Sequence, residues 1–225
     1  MHKNEPKKRK PRSYRWFRNI LIVVVLLGLG GVVLCRYTPR AYHPQPVDNP
    51  EQVSPYLTHK LGPDFVNQVQ LDQPFELVVD QEGLNDIIRR LPWIEQFDGF
   101  TFTDPVILFD PDTIYLMGTL DYKGISSVVT VIAKPQTAPA GKVSLNILSI
   151  RLGIIPVTKL VGHLAVKGFD HSRECFDSEP ELEAVVRAIV HNEAFEPVFK
   201  ISDQTVRLTE FKVMARQLIL KFQPE

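Results

Sequence analysis

Asp170, His171 and Ser172 are the residue types of a hydrolytic triad, and Cys175 stands four residues after His171, the spacing at which two metal ligands share a helix face. Neither pattern completes its chemistry. Consecutive side chains diverge, whereas a nucleophile, its base and the group that orients the base are assembled from distant positions. A closed zinc site needs four ligands, and this pair supplies two. Asp110 and Asp112 resemble a divalent-cation pair, but Pro111 between them makes a turn the better account. Lys159, His163 and Lys167 are suited to meeting an anionic head group at a groove mouth, or simply to facing water as the polar side of a helix, which is the more economical account. The patterns G-x-x-x-x-G-K-S/T, G-x-S-x-G and H-E-x-x-H do not occur. The expectation is therefore a chain that is not an enzyme, with no catalytic residue, no metal site and no cofactor.

The elements that would position any site begin with an apolar stretch opened by Ile20, Leu21, Ile22, Val23, Val24, Val25, Leu26 and Leu27 and closed by Cys35. From Asn19 to Cys35 there is no charge, and as a helix this run rises roughly 25 Å. Arg18 and Arg36 flank it and reach to the head groups of a core about 30 Å thick. Lys3, Lys7, Lys8, Arg9, Lys10, Arg12, Arg15 and Arg18 precede it against the single acid Glu5, which holds the N-terminus in the cytoplasm. Tyr14, Trp16, Phe17, Tyr37 and Tyr42 fall where aromatic rings favour the two interfaces. A cleaved secretory signal has an apolar region of about 7–15 residues and a small-x-small site, and LCRYTPRAY offers no convincing one. The reading is a signal-anchor of a single-pass cell-membrane protein, with the rest of the chain extracytoplasmic.

The formal charges balance at 26 bases and 26 acids. Setting aside the eight bases and one acid of residues 1–18 leaves 18 bases against 25 acids, a net of minus seven. That excludes nucleic acid as the partner of the outer part, since such binding needs a basic footprint. Two cysteines, Cys35 and Cys175, exclude a disulfide framework. The chain divides into a basic cytoplasmic tail (1–18), a transmembrane helix (19–35), a Pro-rich linker (36–55) and an extracytoplasmic domain (56–225).

Within the linker, five prolines and almost no apolar periodicity predict extended chain. Residues 56–71 carry a loosely helical pattern interrupted by Gly62-Pro63. Pro74 to Asp80 reads as a strand. Asp80 then N-caps a helix that buries Leu84, Ile87, Ile88 and Leu91, is closed by Pro92, and leaves Asn85 on its solvated side. Turn residues separate β-branched runs at Phe100–Thr103, Val106–Phe109, Ile114–Asp121, Ile125–Ala133 and Val143–Leu152, which predicts an antiparallel meander. Two of these runs are apolar on both faces, so the sheet is covered twice or lines something apolar. The candidate groove residues are Tyr115, Met117, Val128, Ile132, Leu148, Ile150, Leu160 and Leu164. Helices over Val157–Lys167 and from a Ser178/Glu181 capping box to His191 supply cover, and strands near Val198–Ile201, Thr205–Val213 and Gln217–Phe222 are expected to return to the sheet. The fold class is α+β: an N-terminal transmembrane helix, then one domain in which a curved antiparallel meander packs against a few helices.

FELVVDQEGLNDIIRRL followed by VILFDPDTIYLMGTLDYKGISSVVTVIAKP and KVSLNILSIRLGIIPVTKLVGHL resembles, in its order of elements, the YpmS-like single-pass bacterial envelope proteins and the mycobacterial lipid-binding proteins of the tubular lipid-binding (TULIP-like) superfamily. The likeness spans about Phe75 to Leu164. It implies a curved sheet wrapping a long helix around a lipid groove. The expected function is non-catalytic binding of a lipid or other apolar ligand at the outer face of a membrane. The alternative is an envelope scaffold that binds another membrane protein and has no ligand groove. The expected partners are the lipid bilayer with a bound lipid in the first case, and a membrane protein in the second.

Overall fold

The computed structural model describes residues 12–49, 51–91, 99–159, 161–162, 187–189, 191–201 and 204–225, without the side chains of residues 12–20, 27, 140 and 201. The architecture is α+β, with two antiparallel sheets and a few helices. The helices expected over Val157–Lys167 and Ser178–His191 lie for the most part outside the described residues, as do Asp170, His171, Ser172, Cys175 and Pro92.

Helix α1 (Arg12–Cys35) is unbroken over 24 residues. Leu21, Val23, Val24, Leu26, Leu29 and Val33 are each more than half exposed, and at 3.6 residues per turn they point in all directions around the axis. Among the described residues no helix is long and apolar enough to cross a membrane.

The first sheet has the order β1-β10-β9-β8, built from β1 (Phe75–Asp80), β8 (Val198–Ile201), β9 (Gln204–Met214) and β10 (Gln217–Pro224). The C-terminal strands thus pair with β1 and do not return to the meander. The pattern explains why: Phe75, Leu77 and Val79 stand opposite Phe222, Leu220 and Leu218, so this register puts two apolar faces on one side. A π-helical turn (Leu57–Leu61), α2 (Gly62–Gln70) and α3 (Gln81–Arg90) supply its cover through Leu61, Phe65, Val69 and Leu84. Phe65, Phe75 and Phe222 meet at ring-centroid distances of 5.2–5.8 Å. Each such side chain contributes about 1.5–3 kcal/mol on burial.

The second sheet is the meander, in the order β2-β3-β4-β5-β6, with β2 (Phe100–Asp110), β3 (Thr113–Tyr122), β4 (Ile125–Thr137), β5 (Val143–Leu152) and β6 (Ile155–Pro156); β7 (Ala194–Phe195) also pairs with β5. The two runs around Thr103 and Val106 form one strand, interrupted where Asp104 takes φ 53°. Tyr122 opposes Ile125, so Lys123 and Gly124 form a two-residue turn with both φ positive, the geometry that matches strand twist.

Asn85 is not solvated. Its Nδ2 donates to the Ile107 carbonyl at 2.8 Å and its Oδ1 accepts from the Ile107 amide at 2.7 Å. One turn earlier, Gln81 Oε1 accepts from the Phe109 amide at 2.7 Å. Two side chains of α3 therefore occupy the edge of β2 as a neighbouring strand would, and the C-terminal hairpin reaches only the end of that strand, where the Arg216 amide donates to the Phe109 carbonyl and the Asp112 amide to the Val213 carbonyl, both at 3.2 Å. Asp80 precedes α3 but makes no cap bond. Its carboxylate instead accepts from Lys60 at 2.6 Å and Gln217 at 3.3 Å.

The Pro-rich segment turns at Pro39–Tyr42 and at Asn49–Gln52, and it is strapped to the domain. Arg89 donates to the Gln45 carbonyl, and Arg90 to those of Asn49 and Gln52 at 2.9 and 3.0 Å. Ser54, buried, donates to Asp86 at 2.5 Å. Burial alone would raise the Asp86 carboxyl, but the Ser54 hydroxyl and Arg90 guanidinium hold it below the ordinary carboxylate value.

Candidate apolar binding site

The register of the meander decides which side chains share a face. Leu108 opposes Tyr115, Tyr115 opposes Ile132 and Met117 opposes Thr130, so these five project together from β2, β3 and β4. Opposite them lie Tyr37, Pro39 and Ala41 of the strap, and the space between is a cavity of about 570 Å³. That falls within the range of small-molecule sites. Gln81, Asp110 and Arg216 border it near the junction of the two sheets, and Arg151, Gly153 and Ile154 border it at β5.

Tyr42 holds the roof in place. It is buried against Val106, Met117 and Val128, donates to the Asp104 carbonyl at 2.9 Å and shares a 2.8 Å hydrogen bond with Thr119 Oγ1. Burial pushes its phenol above the usual value. Its expected place at the bilayer interface is thus corrected: an apolar ring with a polar tip also suits a pocket that offers two oxygen partners. At the other end of the strap, the Ile154 amide donates to the Leu34 carbonyl of α1 at 3.3 Å. The cavity therefore sits at the C-terminal foot of α1.

Of the predicted groove residues, Tyr115, Met117 and Ile132 line the cavity. Val128 is buried beside Met117, under Tyr42. Leu148 and Ile150 are elsewhere. Ile132 opposes Ser149 and Ala133 opposes Ile147, so Leu148 is the extra residue of a β-bulge and stands 50 % exposed. Ile150 opposes Val131 and shares the opposite face. Alternation instead brings Ser149 and Arg151 to the cavity side. Leu160 and Leu164 lie outside the described residues, as do the side chains of His163 and Lys167. Lys159 is exposed. Asp110 is on the cavity rim, whereas Asp112 sits in the β2–β3 turn at φ 61°, 4.0 Å from Lys134. No group of three metal-ligating side chains occurs among the described residues.

The strap residues were missed as site residues. The available signal was Tyr37 and Tyr42 themselves, since a solvated linker has no need of two tyrosines. Thr130 was missed because a small polar residue flanked by Val129 and Val131 gives no sign in the sequence of facing a cavity. It is 6 % exposed, and its Oγ1 has no hydrogen-bond partner among the described residues. A second, more open hollow of about 400 Å³ lies on the other sheet between Leu57, Phe65, Phe199 and Phe222.

Compared with protein-family models, curated proteins and solved structures, the chain matches none.

Proposed function

We propose that this protein is a non-catalytic, membrane-anchored binder of a lipid or other apolar molecule, held between the strap and the meander at the outer face of a bacterial cytoplasmic membrane. The observation that carries this reading is the cavity walled by Leu108, Tyr115, Met117 and Ile132, roofed by a strap that begins where α1 ends. A packed core leaves few voids larger than a water molecule, so an apolar space of this size is suited to an occupant. The exposed, all-round apolar surface of α1 and the uncharged run from Asn19 to Cys35 behind eight bases support an anchor with the N-terminus in the cytoplasm. The resemblance of Phe75–Leu164 to tubular lipid-binding proteins agrees with this reading.

The test uses the full chain in a non-ionic detergent and follows lipid co-purification and uptake by native mass spectrometry, beside the variant Ile132→Trp, which fills the cavity. Lipid retained near one per chain by the wild type and lost in the variant is the expected result. Equal lipid on both, or none on either, would sink the proposal and turn attention to a scaffold that binds another membrane protein.

A further inference from the structure

The cavity wall carries one feature that an apolar ligand alone does not explain. Thr130 lines the cavity, and its Oγ1 is buried in the wall with no hydrogen-bond partner among the described residues. Buried hydroxyls are ordinarily satisfied, because leaving one unpaired forfeits its hydration for nothing. Directly across the β4–β5 ladder from Thr130 stands Arg151, also on the cavity. Cross-strand neighbours on one face have Cβ atoms about 5 Å apart. Arg151 makes a weak contact with Ser149 Oγ at 3.4 Å and has no carboxylate partner among the described residues. Among the described residues the cavity's second cation, Arg216, is already engaged with Glu82. The cavity's acid, Asp110, is on β2, three strands from Arg151, about 14 Å at the usual strand spacing.

We infer that Thr130 and Arg151 form an anion-recognising pair in the cavity, so that the ligand is an amphiphile whose carboxylate or phosphate oxygens meet this pair while its chain lies over Met117, Tyr115, Leu108 and Ile132. This rests on the ligand-binding reading above and names the class of ligand. The division of labour is physical. The guanidinium at the mouth supplies charge and a planar fork of donors. The Thr130 hydroxyl, turned from the wall into the cavity by rotation about χ1, supplies a donor whose hydration has already been lost. Because the cavity lies at the foot of α1, such an amphiphile is available both from the adjacent leaflet, as a lipid phosphate, and from solution, as a free fatty acid.

The experiment measures displacement of the neutral dye N-phenyl-1-naphthylamine from the full chain in dodecyl maltoside by hexadecanoate, hexadecyl phosphate, hexadecanol and inorganic phosphate. One or both anionic amphiphiles should bind about tenfold or more tightly than hexadecanol, the effect of one charge-assisted hydrogen bond, and inorganic phosphate should not displace the dye. Preference for hexadecyl phosphate points to a membrane lipid, and preference for hexadecanoate to a free fatty acid. In Thr130→Val and Arg151→Gln the anion-to-alcohol ratio should fall toward one, while Lys221→Gln, on the other sheet, keeps it. Equal binding of acid and alcohol would overturn the anion pair and leave the apolar site standing. Failure of every amphiphile would overturn both readings, and displacement by phosphate alone would remove the amphiphile.

Discussion

The amide of Ile154 donates to the carbonyl of Leu34 at 3.3 Å, fastening the last turn of α1 to the β5–β6 turn beside the cavity. A helix leaves its final carbonyls without intrahelical partners, and here the domain provides one. Gly153 makes the approach possible. It holds φ 59°, and a Cβ at that position would collide with the carbonyls of Leu34 and Cys35. The strap therefore has two fixed ends, one at α1 and one at Arg90, and the cavity roof lies between them.

Gly153→Ala should release the α1 end of this strap. The left-handed conformation alone costs an alanine about 1–2 kcal/mol, and the collision adds to it. A drop of roughly 2–3 kcal/mol in unfolding free energy is expected, with faster proteolysis within residues 36–48. Unchanged stability and unchanged cleavage would show that the fastening does not matter.

Tyr42→Phe keeps the ring among Val106, Met117 and Val128 but strips the Asp104 carbonyl and Thr119 hydroxyl of their partner. Removing one side of such contacts costs about 1–3 kcal/mol. Chemical denaturation should report that loss, and ligand release should quicken because the roof is held less firmly. The phenol value raised by burial gives the pH sign: the folded state favours neutral Tyr42, so this contribution is complete below pH 10.0 and fades as pH rises beyond it. The phenylalanine variant should lack that alkaline decline.

The contribution of Asp86 runs the other way. Its folded-state carboxyl is held below the ordinary 3.8, so the unfolded chain takes up the proton first as pH falls, and the stability it provides is lost as pH drops below 3.8 through the depressed value. Asp86→Asn should cost about 1–3 kcal/mol at pH 7, and the gap to wild type should narrow at pH 3. Urea titrations at both pH values measure it. A gap that is the same at both would contradict the ionised clamp on Ser54 and Arg90.

The strands of the meander were legible because turn chemistry at Asp110–Asp112 and Lys123–Gly124 brackets β-branched runs. The faces of β3 and β4 were legible because period two is unbroken from Ile114 to Tyr122 and from Ile125 to Ala133. Beyond the bulge at Leu148 the same counting fails, since one extra residue reverses every later side chain, and Leu148 and Ile150 were assigned to the wrong side for that reason. Asn85 illustrates a different limit. Helical periodicity says that it lies off the Leu84–Ile88 face, but a polar residue off one face of a helix is as well suited to a bare strand edge as to water, and only the placement of β2 decides. The C-terminal end of the strap was opaque because Arg89 and Arg90 hold it by backbone carbonyls, groups that every residue carries.

Thr130→Val separates stability from binding. Valine matches threonine in shape and removes the unpaired hydroxyl, so the empty protein should become more stable, by about 1 kcal/mol if the desolvated oxygen is as costly as such groups usually are. A residue retained only for packing would show that gain and nothing else. If the hydroxyl serves a ligand, the same variant melts at a higher temperature yet binds anionic amphiphiles less tightly, a trade that is common where function keeps a locally unfavourable group. Thermal melts of the lipid-free chain, run beside the dye-displacement series, read both quantities from one preparation. A variant that loses stability would mean that Thr130 Oγ1 has a partner in the empty protein, and the case for a waiting donor would fall with it.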